Sequence, residues 1–536
     1  MPHRIFVTDD IDDDGIALLR AVPEFQIDVS PTLTPDALLA RIGDYDAIIG
    51  RSATRVSEPL LRAGTRLRVV GRAGVGVDNI ALDAATELGI AVINAPAGNT
   101  VAVAELFFAS VIGLLRHVPR AAQSTREGRW ERADLLGSEL LGKTLGIVGL
   151  GRIGGEVARR ARAFGMGLVA FDPYVAPERF ESLHVRRAAS LDDLLDVAQF
   201  VTVHTPLTDE TTGMIGAREL ARLRPGAIVA NLARGGIVDE TALIAALRSG
   251  HLGGATLDAY AKEPLKGDHA FRDVPNVLLT PHIGASTAEA QRNVAVDVCE
   301  AVRDALLANE LSRSINAGAS GGDWTSLQPA IVVARRAAAV ARALLADRGR
   351  RSIERIAVRL GPELAEGHGP LLAAAAVGAL EGIVANDRLN LINARAVAAS
   401  RGIALQHADD GVAPHPRALE VRITADGETV RVGGVAALDT APRLTRIGDF
   451  HVDVAPRGTL LVLTNHDVPG VIGRVGTALG DARVNIAEYH QARLAQGGDA
   501  LAVVSVDGII GDDVRRALLA LPDVRTATVV RFAEPR

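Results

Sequence analysis

The sequence predicts an α/β protein: two doubly wound, parallel-sheet domains, then an α+β module and a βαββαβ tail. Three observations carry this. Through residue 282, short apolar runs alternate with helical patterns, the βαβ rhythm of a parallel sheet covered by helices. A glycine-rich turn, Gly149-Leu150-Gly151-Arg152-Ile153-Gly154, joins one such run to a helix. From Gly458 on, the order is strand, helix, strand, strand, helix, strand, which is ferredoxin-like.

The elements follow in order. Residues 4–7, 47–50 and 68–71 read as strands, and 14–21 as a helix. A helix over 101–115 follows, with Asn99 and Thr100 as cap residues. It is apolar around most of its circumference and belongs in a core or at a subunit interface. Residues 285–308 read as a helix returning to the first unit. Residues 1–98 with 283–315 then form one domain and 99–282 the other. A cleft between them would hold ligands beside the carboxyl ends of the strands. Composition changes near 316, and residues 317–322 (Ala-Gly-Ala-Ser-Gly-Gly) read as a flexible linker. Residues 316–455 form the α+β domain, with strands at 421–424 and 429–433 and a buried helix at 371–380. Residues 456–536 form the tail domain, with helices at 470–480 and 512–520.

Each part of the glycine-rich turn has a mechanical job. Residues 145–148 are a buried strand, and Gly149 allows the tight turn out of it. Gly151 lets backbone approach a pyrophosphate. Gly154 lets the helix over 156–164 pack on the strand, with its positive N-terminus toward the phosphates. A second strand, 168–171, ends in Asp172. A carboxylate about 20 residues past the turn accepts both hydroxyls of an adenosine ribose and repels a 2′-phosphate. The unit is therefore Rossmann-like, and its cofactor is NAD rather than NADP.

Composition excludes other classes. A net charge of −6 gives no support for nucleic-acid binding. No apolar run reaches the roughly 18 residues of a membrane span. The chain starts directly in a strand, so no signal peptide is expected. The one cysteine, Cys299, sits at helical spacing among Val294, Val298 and Val302, a core position. A cytoplasmic protein is expected, and no metal site.

Four segments put polar residues just after strands. They are 71–79 (Gly-Arg-Ala-Gly-Val-Gly-Val-Asp-Asn), 231–236 (Asn-Leu-Ala-Arg-Gly-Gly), 257–264 (Leu-Asp-Ala-Tyr-Ala-Lys-Glu-Pro) and 280–286 (Thr-Pro-His-Ile-Gly-Ala-Ser). Arginine holds a carboxylate through two parallel hydrogen bonds. Histidine is the natural base for a hydroxyl proton near neutral pH, and a neighbouring carboxylate fixes its tautomer. Read singly, Arg234 can also be a surface charge, and His282 can merely cap a loop.

With 94–100 (Asn-Ala-Pro-Ala-Gly-Asn-Thr) and 204–208 (His-Thr-Pro-Leu-Thr), these strings resemble the D-2-hydroxyacid dehydrogenases across residues 1–315. With the tail included, the chain is similar throughout to the long-form phosphoglycerate dehydrogenase branch of that family. The resemblance implies NAD-dependent oxidation of 3-phospho-D-glycerate to 3-phosphohydroxypyruvate, the first step of phosphorylated L-serine synthesis. It implies Arg234 as substrate anchor, His282 as proton acceptor and Glu263 as its partner. Cofactor contacts would come from Gly149, Gly151, Arg152, Ile153, Gly154 and Asp172. Further ones would come from Val75, Thr205, Leu232, Ala233 and Asp258, from Gly284 and Ala285, and from Arg234 and His282 themselves. Substrate would meet Arg51, Ser52, Arg72, Gly74 and Asn99. Leu232 and Ala259-Tyr260 depart from the more usual residues, and both read as apolar swaps near the cofactor.

In the tail, 465–470 (Asn-His-Asp-Val-Pro-Gly) followed by 484–486 (Val-Asn-Ile) resembles the ACT regulatory domain. The resemblance implies Asp467 and Asn485, with Asn465, as ligands of an effector, and L-serine as that effector. It also implies a homo-oligomer, with a dimeric core and a tetramer built through paired tails. Two other readings compete: a glyoxylate or hydroxypyruvate reductase with regulatory domains, and an NAD-sensing corepressor.

Overall fold

The computed structural model describes residues 2–317, 324–383, 388–408, 415–438 and 441–532. The first sheet has strands β1 (His3–Val7), β2 (Phe25–Val29), β3 (Ala47–Gly50), β4 (Val69–Arg72) and β5 (Ala91–Asn94). They are all parallel, in the order β2-β1-β3-β4-β5. All four residues of β3 are buried, because helices cover both faces and leave no polar side to alternate. One covering helix is Ala288–Ala308, whose Val294, Val298 and Val302 enter the core beside Ile5 and Ile49. It packs on helix Asp13–Arg20, so the chain does return to its first unit. Cys299 on this helix is buried, and burial pushes its thiol up to about 12. The strand order reverses direction between β1 and β3, and the loops leaving those two strands stand side by side.

The second sheet has β6 (Thr144–Val148), β7 (Gly167–Phe171), β8 (Arg186–Arg187), β9 (Phe200–Val203), β10 (Ile228–Asn231), β11 (Gly254–Leu257) and β12 (Val277–Leu279). Its order is β12-β11-β10-β9-β6-β7-β8. The reversal falls between β6 and β9, where the glycine-rich turn leaves the sheet. Helix Thr100–Leu115 buries Val103, Phe107, Phe108 and Val111 in the core that also holds Val157 and Ala161 of helix Arg152–Ala163. Its Val101 stays about half exposed, at 49%. No single helix among the described residues is long and apolar enough to cross a membrane.

The third sheet has β13 (Ile353–Leu360), β14 (Ala404–His407), β15 (Ala418–Ala425), β16 (Glu428–Val435), β17 (Arg443–Ile447) and β18 (Phe450–Val454), in the order β14-β13-β15-β16-β17-β18. Only the β13–β14 pair is parallel. Helices Trp324–Asp347 and His368–Leu380 pack together through buried alanines, whose small side chains allow close approach. The last sheet has β19 (Thr459–His466), β20 (Ile486–Arg493), β21 (Asp499–Val506) and β22 (Val524–Arg531), ordered β20-β21-β19-β22 and antiparallel. With helices Val471–Asp481 and Asp512–Leu519 it forms the βαββαβ order read from the sequence.

The expected linker begins inside the first unit. Asn316 accepts a hydrogen bond from the Val92 N–H and donates to the Ile90 carbonyl, both at 2.9 Å, and Ala317 is buried. The rest of that stretch, 318–322, lies outside the described residues. Further contacts tie the third unit to the first: Arg388 donates to the Gly64 carbonyl at 2.6 Å, and Asn390 to the Gly89 carbonyl at 2.7 Å. The third and fourth units meet through Arg515–Asp347 and Arg443–Glu488, each at 3.0 Å.

Candidate active site

The glycine-rich turn is built as a cradle. A Cβ on Gly154 would lie 2.1 Å from the Gly149 carbonyl oxygen, so helix and turn can close only around a glycine. A Cβ on Gly151 would meet nothing within 4 Å, so this glycine leaves open space rather than filling a contact. Arg152 and Ile153 open the helix that follows. Asp172 accepts from the Leu150 N–H at 2.8 Å through one oxygen and from the Tyr174 N–H at 3.0 Å through the other. The Thr205 hydroxyl and His204 Nδ1 are buried without a partner among the described residues. Open space at Gly151, a carboxylate at the end of β7 and an unpaired hydroxyl beside the turn together fit a dinucleotide.

Arg234 is presented by the loop leaving β10. Asn231 accepts from the Ala233 N–H at 3.1 Å and donates to the Arg234 carbonyl at 2.8 Å, a side-chain turn that fixes the backbone around Leu232 and Ala233. The Arg234 guanidinium donates from Nε to Asp78 at 3.0 Å, an ion pair across the cleft between the two parallel-sheet units. It lies over Gly76, where a Cβ would come within 1.7 Å of it.

His282 and Glu263 face each other. His282 Nδ1 lies 2.8 and 2.9 Å from the two Glu263 oxygens. The pair is partly exposed, so its electrostatics are softened by water. Asp258 is 1% exposed, and both its oxygens serve the His282 loop: one takes Thr280 Oγ1 (2.6 Å) and the Ile283 N–H (2.8 Å), the other the Gly284 N–H (2.7 Å). Ala285, next along the loop, accepts at its carbonyl from Gln291 at 2.5 Å. Tyr260 is no simple apolar swap. Its hydroxyl donates to the Thr280 carbonyl at 2.7 Å, and its N–H donates to Glu263 at 3.0 Å. It therefore braces both members of the His–Glu pair from behind.

Cations gather on the first unit's side. Burial and the positive charges of Arg234 and Arg51 pull Arg72 down to about 10. Arg72 lies over Gly74, and its Nε has no partner among the described residues. The Val75 carbonyl is held by Asn94 at 2.5 Å. Ser52 is exposed on the loop after β3. Asn99 stands at the helix cap position yet makes no capping bond, and its Oδ1 is buried without a partner among the described residues. The expected cap is thus absent.

The tail residues stand apart. Asn465 is 2% exposed, and its side chain donates to the neighbouring His466 carbonyl rather than to any open site. Asp467 is held by Arg493 at 3.0 Å, and Asn485 by Asp507 at 2.7 Å. Helix Val471–Asp481 separates Asp467 from Asn485 by about 16 Å of rise, so one chain does not bring them together. Sequence reading gave no role to Asp9, Asp78 or Asn79. The available signal was their place in the loops that follow β1 and β4, at the carboxyl ends of the strands.

Two α/β units that meet at a cleft, one offering a dinucleotide turn and the other a cluster of cations, make this a two-domain nicotinamide-dependent dehydrogenase. The D-isomer specific 2-hydroxyacid dehydrogenase NAD binding domain model matches residues 108–284. D-3-phosphoglycerate dehydrogenase of Synechocystis sp. is 39% identical over 533 residues, covering 99% of this chain and 95% of that protein. The Bacillus subtilis enzyme of the same name is 37% identical over 529 residues, covering 98% and 99%. Among solved structures, the TT0316 protein from Thermus thermophilus aligns with a TM-score of 0.54 at 36% identity, over 58% of this chain and 99% of its own. NAD+-bound 3-phosphoglycerate dehydrogenase of Entamoeba histolytica aligns with a TM-score of 0.50 at 26% identity, over 59% and 99%. The chain belongs to the D-3-phosphoglycerate dehydrogenase family.

Proposed function

We propose that this protein oxidises 3-phospho-D-glycerate to 3-phosphohydroxypyruvate with NAD. What supports the reading is the gathering of Arg234, Arg72 and Arg51 within electrostatic reach of one another, with an oriented His282–Glu263 pair in the same unit as Arg234. When bound, NAD supplies the nicotinamide carbon that accepts hydride from C2 of the substrate. Gly151, Arg152 and Ile153 would cradle its pyrophosphate, Asp172 its ribose, and Thr205, Leu232 and Ala233 the nicotinamide side.

The chain's own residues do the rest. Arg234 holds the substrate carboxylate and polarises the carbonyl that forms at C2. Glu263 takes the Nδ1–H of His282, which leaves Nε2 as the acceptor for the C2 hydroxyl proton. Arg51 and Arg72, with Ser52, Gly74 and Asn99, would hold the phosphoryl end. A glyoxylate or hydroxypyruvate reductase has no use for that second cationic pole, and a corepressor has no use for an oriented base.

The tail serves as the sensor, with L-serine as effector held by Asp467 of one copy and Asn485 of another. Their separation within one chain favours a homo-oligomer with paired tails. The test is NADH formation from 3-phosphoglycerate, with and without L-serine, in wild type and Arg51→Ala. Turnover suppressed by serine, with a KM raised about tenfold or more in the variant, supports the reading. Turnover without a serine effect removes the effector, and turnover of hydroxypyruvate alone removes the substrate.

A further inference from the structure

The loop that carries Arg51 is held by two residues with no assigned role. Asp9 leaves β1 with a left-handed backbone, φ +65°, uncommon outside glycine. It is 6% exposed, yet ionised without an ion pair to Arg51. One oxygen accepts from the Arg51 N–H (2.9 Å) and the Thr54 N–H (2.8 Å). The other accepts from the hydroxyls of Thr32 (2.6 Å), Thr54 (2.7 Å) and Thr8 (3.3 Å). Burial works against the charge, but the bonds from Thr32, Thr54 and the loop outweigh it and hold the carboxyl below its ordinary range. From the opposite side, Asn79 donates to the carbonyls of Arg51 (2.9 Å) and Thr54 (2.7 Å). Both ends of the 51–54 loop are thus gripped at the N–H by one residue and at the C=O by the other.

The grip leaves the side chain alone. The Arg51 guanidinium has no hydrogen bond or ion pair among the described residues. Asp9, with five donors on its two oxygens, orders the loop without neutralising the cation. The loop also stands at the β1/β3 reversal of a 2-1-3-4-5 sheet, where such folds bind ligands. An arginine placed in advance loses less freedom when an anion arrives.

We propose that Asp9 and Asn79 are positioning residues that hold the Arg51–Thr54 loop so that the free guanidinium of Arg51 meets the phosphoryl end of the substrate. This rests on the assignment of Arg51 made above. A loop anchor that served stability alone would matter equally for substrates with and without a phosphoryl group.

The experiment compares reduction of 3-phosphohydroxypyruvate with reduction of hydroxypyruvate, which lacks the phosphoryl group, at saturating NADH. Asp9→Asn and Asn79→Ala should each raise KM for the phosphorylated substrate about tenfold, with kcat within about threefold and hydroxypyruvate kcat/KM within about threefold. Placed on Arg51→Ala, Asp9→Asn should add less than about twofold, because no cation remains to position. Equal losses for both substrates, or a full effect persisting without Arg51, overturn the proposal. If Arg51→Ala keeps the wild-type KM, the assignment of Arg51 fails and the proposal with it. If Arg51→Ala loses affinity while both anchor variants keep it, the positioning role alone fails. Should Asp9→Asn not fold, Asn79→Ala and Thr32→Val decide the same question.

Discussion

His204 shows how burial sets the chemistry of one residue. Its ring packs edge-on to Phe107 at 6.4 Å, and Nε2 lies 2.9 Å from the Thr202 hydroxyl. Burial pushes its pKa down to about 3, so it is neutral at working pH and no second base. A histidine whose folded pKa lies below its ordinary 6.5 takes up its proton more readily when unfolded. Stability is therefore lost as pH falls from about 6.5 toward 3. His204→Gln should remove part of that slope. The stability gap between wild type and variant in urea should narrow from pH 7 to pH 4 by an amount on the order of 3 kcal/mol. Parallel curves would count against the buried neutral histidine. Tyr260→Phe tests the brace behind the catalytic pair. Losing two hydroxyl contacts should cost about 1 kcal/mol, or a few degrees in Tm, with kcat falling only a few-fold. An unchanged Tm would show that the hydroxyl carries nothing.

At the scale of an element, the strand–turn–helix unit separates packing from binding. Gly154 is required by the fold, since any side chain there strikes the Gly149 carbonyl, whereas a Cβ at Gly151 would touch no protein atom. Gly154→Ala should unfold the protein several degrees earlier. Gly151→Ala should leave Tm within about 1 °C and raise KM for NAD about tenfold or more. If Gly151→Ala binds NAD normally, the turn does not cradle the cofactor. This unit was legible in sequence because each function is carried by spacing within a short stretch. The Arg234–Asp78 pair was not legible: its partners lie 156 residues apart and meet only across the cleft.

At the scale of the whole molecule, the third unit is tied to the first through backbone carbonyls. Asn390 donates to Gly89, Arg388 to Gly64, and Asn393 to Glu87 at 3.4 Å, all at corners of the first sheet. A signal from the tail that reaches the substrate unit within one chain can pass through these corners. Asn390→Ala should therefore weaken L-serine inhibition about fivefold in a dose–response assay while kcat changes less than about twofold. Inhibition that survives intact would mean that the signal passes between subunits instead.

Local patterns determined the strand–helix alternation of the first two sheets, the buried helices over 101–115 and 371–380, the dinucleotide turn and its terminal carboxylate. Each is written in periodicity or spacing over about 25 residues or fewer, where chain geometry alone decides which groups are neighbours. Tertiary structure decided the partnerships. It gave Asp258 and Tyr260 to the His282 loop, left Asn99 unbonded at its helix end, and buried Asn465 in the tail sheet. It also set Asp9 and Asn79 around the Arg51 loop. These pairings depend on which distant loops the strand order brings to one sheet edge, and no local pattern encodes that order.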